Sequence, residues 1–163
     1  MRETCRVGSR ALARTMARSR ELQTEGQVLA SVEFEAKMSG ACHLAYPPVV
    51  AAGNNATVIH YIAATSQLDL AESVLVDAGC EYHGYTSDIT RTWPGVSDII
   101  VTMGALCDDV VTNALQSQDG AWTERQRELY EVVLTTQAEL IASIRPGVTS
   151  VDSLYKDMQV GGQ

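Results

Sequence analysis

Asp77 and Asp88 stand on either side of a turn in "VLVDAGCEYHGYTSDITRTW", residues 74–93. Val74, Leu75 and Val76 lead into the first aspartate, and Ile89, Thr90 and Thr92 follow the second, so each belongs to a run of strand formers. If the two runs pair antiparallel about Tyr82 and His83, opposed residues share a constant sum of numbers, and Asp77 falls opposite Asp88. Like charges directly across a ladder are destabilising, and burial adds a desolvation cost. Sharing a proton relieves such a pair. So does a hard divalent cation, which selects carboxylate oxygens. The plain alternative is that one aspartate faces solvent or caps the turn.

The elements that must hold this pair follow from the pattern on either side. A first helix is predicted over roughly 9–23. Thr24 with Gln27 is a capping-box signature opening a second helix, with Val28, Val32 and Ala36 as its apolar stripe and Gly40 at its end. "HLAYPPVVA" and "TVIHYI" read as two extended stretches around the turn "AGNNA", and Pro47 and Pro48 forbid helix there. Thr123 and Gln126 form another capping box. The helix after it is predicted to carry Leu129, Val133, Leu140 and Ile144 toward the core, until "RPG" at 145–147 stops it. Thr149 and Asp152 open a last helix. Strands flanked by helices define an α+β class.

Composition narrows the function classes. The 163 residues suffice for one domain with a core, and 45% hydrophobic with 20% charged residues is a globular balance. A net charge of −8 argues against a nucleic-acid surface. No apolar run approaches the ~20 residues of a membrane-spanning helix. Residues 1–20 hold six arginines and one glutamate, which reads as the basic face of a surface helix, the alternative being a mitochondrial transit peptide. Cys5, Cys42, Cys80 and Cys107 are scattered, with no Cys-x-x-Cys pair. They read as reduced, mostly buried thiols of an intracellular protein, mitochondrial or cytoplasmic.

"EFEAKMSGACHLAYPPVVAAGNNATVIHY", "VLVDAGCEYHGYTSDITRTWP" and "TERQRELYEVVL" follow one another in the order found in Xaa-Pro aminopeptidases. Over roughly residues 11–163, apart from 96–118, the chain resembles this aminopeptidase P group of the pita-bread metallopeptidases. The resemblance implies a partial pita-bread fold, an antiparallel β-sheet with flanking helices. It makes 1–10 a basic N-terminal segment and 11–163 the N-terminal half of a catalytic domain. It further implies a two-metal centre, usually Mn2+, in which Asp77 binds one ion and Asp88 bridges both, the cations neutralising the paired charges. His60, which pattern alone reads as a satisfied core histidine, matches the family's substrate-side histidine. There it hydrogen-bonds the peptide near the scissile bond, which makes His60 the catalytic candidate. His43 and His83 match no functional position and read as surface or turn residues. The implied activity is release of an N-terminal residue preceding proline, with a prolidase-like dipeptidase as the nearest enzymatic alternative. The implied partners are a peptide with proline in second position and either a second copy or a full-length enzyme, with neither nucleic acid nor membrane.

The chain departs from the family pattern in two places. No histidine follows Asp88, so the family's histidine and its two glutamate ligands have no assignable counterpart. A truncated chain of this kind is expected to be inactive alone and to expose apolar strand faces. The stretch 96–118 is extra: without it the sequence reads "TWP-GDGAW-TERQ", the family's length. It begins with Val-Ser and ends with Gln, which GTGAGT and CAG can encode, the borders of an intron. It reads as a retained intron or as a surface loop insertion. From a different class comes the reading of a non-catalytic isoform that acts as an interaction or regulatory module.

Overall fold

Helices α1 (Arg2–Ala17) and α2 (Glu25–Met38) pack against each other in a computed structural model that describes residues 1–69, 72–95 and 122–161. Thr4, Val7, Ala11, Leu12, Thr15 and Met16 recur at helical spacing along α1 and are all buried. The helix begins and ends earlier than the predicted 9–23. Thr4 and Val7 extend the buried face toward the N-terminus, and Arg18 ends the helix ahead of a 3-10 turn at Ser19–Glu21. In α2 the stripe Val28, Val32 and Ala36 is buried as predicted. Thr24 Oγ1 accepts from Gln27 N, while the Gln27 side chain reaches back to Gln23 N rather than to Thr24 N. Gly40, at φ 98, follows the helix end. Part of the basic face of α1 is tied down: Glu35 of α2 accepts from Arg14 at 3.2 Å and lies 3.7 Å from Arg18.

The described residues form six strands: β1 (His43–Leu44), β2 (Val49–Ala52), β3 (Ser73–Ala78), β4 (Cys80–Tyr82), β5 (Tyr85–Thr86) and β6 (Ile89–Pro94). They make two antiparallel sheets, ordered β1-β4-β5 and β2-β3-β6, with Pro47 and Pro48 between β1 and β2. On β3 the two-residue period sorts the side chains: Val74, Val76 and Ala78 are buried, while Ser73, Leu75 and Asp77 are half-buried on the other face. Val50, Val76 and Trp93 complete the core under α1 and α2. The Trp93 indole N–H donates to Ser19 Oγ at 2.7 Å, and Ser19 Oγ donates to Thr15 O, so this buried polar pair is satisfied.

Two sequence expectations give way here. "TVIHYI" forms no strand: Gly53–Thr57 is a 3-10 helix, and the chain beyond it runs as a loop with His60 at φ 56 and Ala64 at φ 46. Glu25 of α2 accepts from Ala52 N before this loop and from Ser66 N after it. The thiols also differ from the buried reading, since Cys5 and Cys42 are exposed and only Cys80, among the described cysteines, is buried.

The chain divides into two compact units, Met1–Ala121 and Trp122–Gln163. In the second, α3 (Glu124–Ser143) opens on a complete capping box between Thr123 and Gln126, and α4 (Val151–Gly161) follows the Gly147 turn. The predicted core stripe of α3 is not buried: Leu129 and Val133 are 63% and 67% exposed, and no residue of the helix is buried. Within this unit α3 packs against α4. The extra stretch 96–118 and Cys107 lie outside the described residues. Among the described residues no helix is long and apolar enough to cross a membrane.

Candidate functional site

β3 and β6 pair with Asp77 opposite Thr90, not opposite Asp88. The turn sets this register. Tyr82 pairs with Tyr85, and the two residues between them, His83 and Gly84, have φ of 52 and 80, the combination that a type I′ hairpin requires. The turn is therefore centred one residue later than Tyr82 and His83, and every pairing sum rises by two. A slip of two, unlike a slip of one, keeps each side chain on its own face. Asp88, two residues before Thr90, is thus the diagonal neighbour of Asp77 on the same side of the hairpin. Glu81 secures the turn by accepting from Gly84 N, a bond that holds its carboxyl below the ordinary glutamate range.

The two carboxylates converge on a residue that the sequence reading passed over. Tyr46 OH lies 2.5 Å from Asp77 Oδ1 and 2.8 Å from Asp88 Oδ1. Burial and the two flanking carboxylates push the phenol well above its usual range, so it keeps its proton. That single hydrogen serves one carboxylate at a time. Gly79 makes the approach possible: a Cβ there would lie 1.7 Å from Ser87 O and 3.0 Å from the Tyr46 ring. Ala45 N also donates to Gly79 O, fixing the chain just before Tyr46. The signal available in sequence was the tyrosine before Pro47-Pro48, held extended by the proline that follows it.

Asp77 and Asp88 offer hard oxygen donors of the kind divalent cations select. Among the described residues no group of three or more His, Cys, Asp and Glu side chains gathers as a metal cluster. The donor chemistry of the pair fits a hard divalent cation.

His60 is exposed, on the left-handed bend of the loop after Thr57, and among the described residues it is not hydrogen-bonded to this pair or to Tyr46. His43 is exposed on β1, with Nε2 3.7 Å from Glu81, and His83 occupies the turn with its ring 4.3 Å from that of Tyr82. Both are surface or turn residues, as the sequence suggested.

Comparison with known proteins agrees with this architecture. The profile of metallopeptidase family M24 matches residues 1–159. Intermediate cleaving peptidase 55, mitochondrial, of Arabidopsis thaliana is 36% identical over 149 residues, covering 91% of this chain and 26% of that protein. Xaa-Pro aminopeptidase 3 of Homo sapiens is 37% identical over 153 residues, covering 94% of this chain and 25% of that protein. The solved structure of proline aminopeptidase P II from Yersinia pestis superposes with a TM-score of 0.71 at 28% identity, covering 97% of this chain and 33% of that one. The chain thus spans about a quarter to a third of the length of these relatives. Over that span its antiparallel sheets with flanking helices are those of the pita-bread fold of aminopeptidase P. With a profile that runs through both units, this chain belongs to metallopeptidase family M24.

Proposed function

We propose that this chain contributes Asp77 and Asp88 to a two-metal Mn2+ centre of an aminopeptidase that releases an N-terminal residue preceding proline. The observation that carries the reading is the convergence of both carboxylates on the Tyr46 hydroxyl within a metallopeptidase chain. When bound, such a metal pair supplies Lewis acidity for amide hydrolysis. Tyr46, holding its proton, orients the two carboxylates side by side. His60, exposed on its loop, hydrogen-bonds the peptide near the scissile bond. The names of the human and Arabidopsis relatives support a peptide substrate with proline in second position and a mitochondrial compartment.

Two carboxylates make a weak divalent site, so hydrolysis requires ligands beyond those described. The test combines this chain with the C-terminal part of a relative's catalytic domain and measures amino-acid release from an Xaa-Pro peptide in Mn2+. Activity is expected only in the mixture. Asp77→Asn or Asp88→Asn is expected to reduce it by at least the ~10–100-fold that even outer-shell partners of a metal cost. Activity that survives either change overturns the ligand assignment.

A second reading, a non-catalytic module that pairs with a full-length enzyme, is favoured by Val58, Ile59 and Ile62, which are 54%, 85% and 65% exposed. Metal stoichiometry of the mixture separates the two: two tightly held ions per site for the enzyme, none for the module.

A further inference from the structure

Glu25, the first residue of α2, is fully buried and takes no part in the aspartate site. Its carboxylate is nevertheless saturated. Oε1 accepts from Ala52 N at 2.9 Å and from Asn55 Nδ2 at 2.8 Å, and Oε2 accepts from Tyr61 OH and from Ser66 N, both at 2.9 Å. Burial by itself would raise its pKa. The bonds from Asn55, Ala52, Ser66 and Tyr61 outweigh that penalty, and the net direction is down, so Glu25 is held as an anion. Its place in the first turn of α2 favours the same charge.

All four donors belong to the segment 52–66, and they bracket His60 on both sides. Further bonds close the same knot: Asn55 Nδ2 lies 3.1 Å from Tyr61 OH and 3.0 Å from Ser66 Oγ, and Glu25 N donates to Ser66 O. Between these anchors His60 and Ala64 both take left-handed backbone, which non-glycine residues keep only when their surroundings over-determine it. His60 and its neighbours Val58, Ile59 and Ile62 are exposed, so packing does not supply that constraint. We propose that Glu25 is the positioning residue for His60: one buried carboxylate clamps both limbs of the loop and thereby sets where the imidazole stands. The functional weight of this clamp rests on the role proposed for His60, but its existence does not.

The experiment is amide hydrogen exchange and histidine-ring NMR on the full chain, comparing wild type with Glu25→Gln. The amide that replaces one carboxylate oxygen turns a donor toward either Ser66 N and Tyr61 OH or Ala52 N and Asn55. Exchange across 53–66 is expected to quicken by about tenfold or more, the scale of one lost charge-assisted bond, while the amides of β3 change by less than about twofold. The His60 ring signals are expected to shift or broaden, with those of His43 and His83 unchanged. Tyr61→Phe removes one donor from a half-buried position and is expected to loosen the same segment to a smaller degree, which keeps the test decisive if Glu25→Gln does not fold. Unchanged exchange in 53–66, an equal rise in loop and sheet, or unmoved His60 signals would each overturn the clamp. None of these readouts needs metal or peptide, so failure of the proposed aminopeptidase role would leave the result standing.

Discussion

Thr90 lies across the ladder from Asp77, and Asp88 lies one diagonal step away on the same face, with the Tyr46 hydroxyl between the two carboxylates. The phenol is the one neutral donor shared by two negative groups. Tyr46→Phe is expected to lower the unfolding free energy by about 1–3 kcal/mol. Added Mn2+ is expected to restore more stability to the variant than to wild type, because a cation takes over the role of the missing hydrogen. Urea denaturation with and without Mn2+ measures both effects, and an equal response in the two proteins would place the cation elsewhere.

Gly79 is a test of close approach. Any Cβ there meets the Ser87 carbonyl oxygen at 1.7 Å, a backbone atom that cannot swing aside as a side chain would. Gly79→Ala is expected to cost about 3 kcal/mol and to displace the Tyr46 ring. The loss is read by chemical denaturation and the displacement by the Tyr46 ring resonances.

The charge on Glu25 links stability to pH. Its carboxyl lies below the ordinary glutamate range in the folded chain, because the four loop and strand donors outweigh burial. The stability it contributes is therefore complete above the ordinary glutamate value and is lost as pH falls through its own lowered value. Wild type and Glu25→Gln are expected to differ most near neutral pH and to converge in strong acid, as followed by urea unfolding across that range. A gap that stays constant into acid would mean that the charge contributes nothing.

The Trp93–Ser19 bond predicts a non-additive pair of substitutions. Ser19→Ala leaves the fully buried indole N–H without its acceptor and is expected to cost about 1–3 kcal/mol. Replacing Trp93 by Phe in that background removes the stranded donor, so the double variant is expected to lose less than the sum of the single changes. Thermal or urea unfolding of the four proteins closes the cycle.

What the sequence disclosed depended on how local the cause was. The Val28-Val32-Ala36 stripe, the Thr123–Gln126 box and the strand run at Val74, Leu75 and Val76 involve neighbours a few residues apart, and all appear as read. The register slipped by two because the left-handed pair at His83 and Gly84 was not taken as the turn centre, although Gly84 marks the second position of such turns. "TVIHYI" differs for another reason: the loop that contains it is held at Ala52, Asn55, Tyr61 and Ser66 by Glu25, 27 to 41 residues earlier in the chain, and no short window contains that partner. Tyr46 was missed likewise, since it meets Asp77 and Asp88 only after β1, β2 and the hairpin are assembled.

The two-residue turn at His83 and Gly84 also sets an order of events in time. A hairpin closed by so short a turn forms in about 1–10 μs. Tyr46 must close a separation of 31 residues to reach Asp77, at a larger entropic cost. The two negative charges are therefore expected to meet before the phenol arrives, so that their repulsion weighs on the climb to the barrier, whereas in the finished protein the phenol already lies between them. Salt that screens this repulsion is expected to accelerate refolding and unfolding together, because it lowers the barrier relative to both end states.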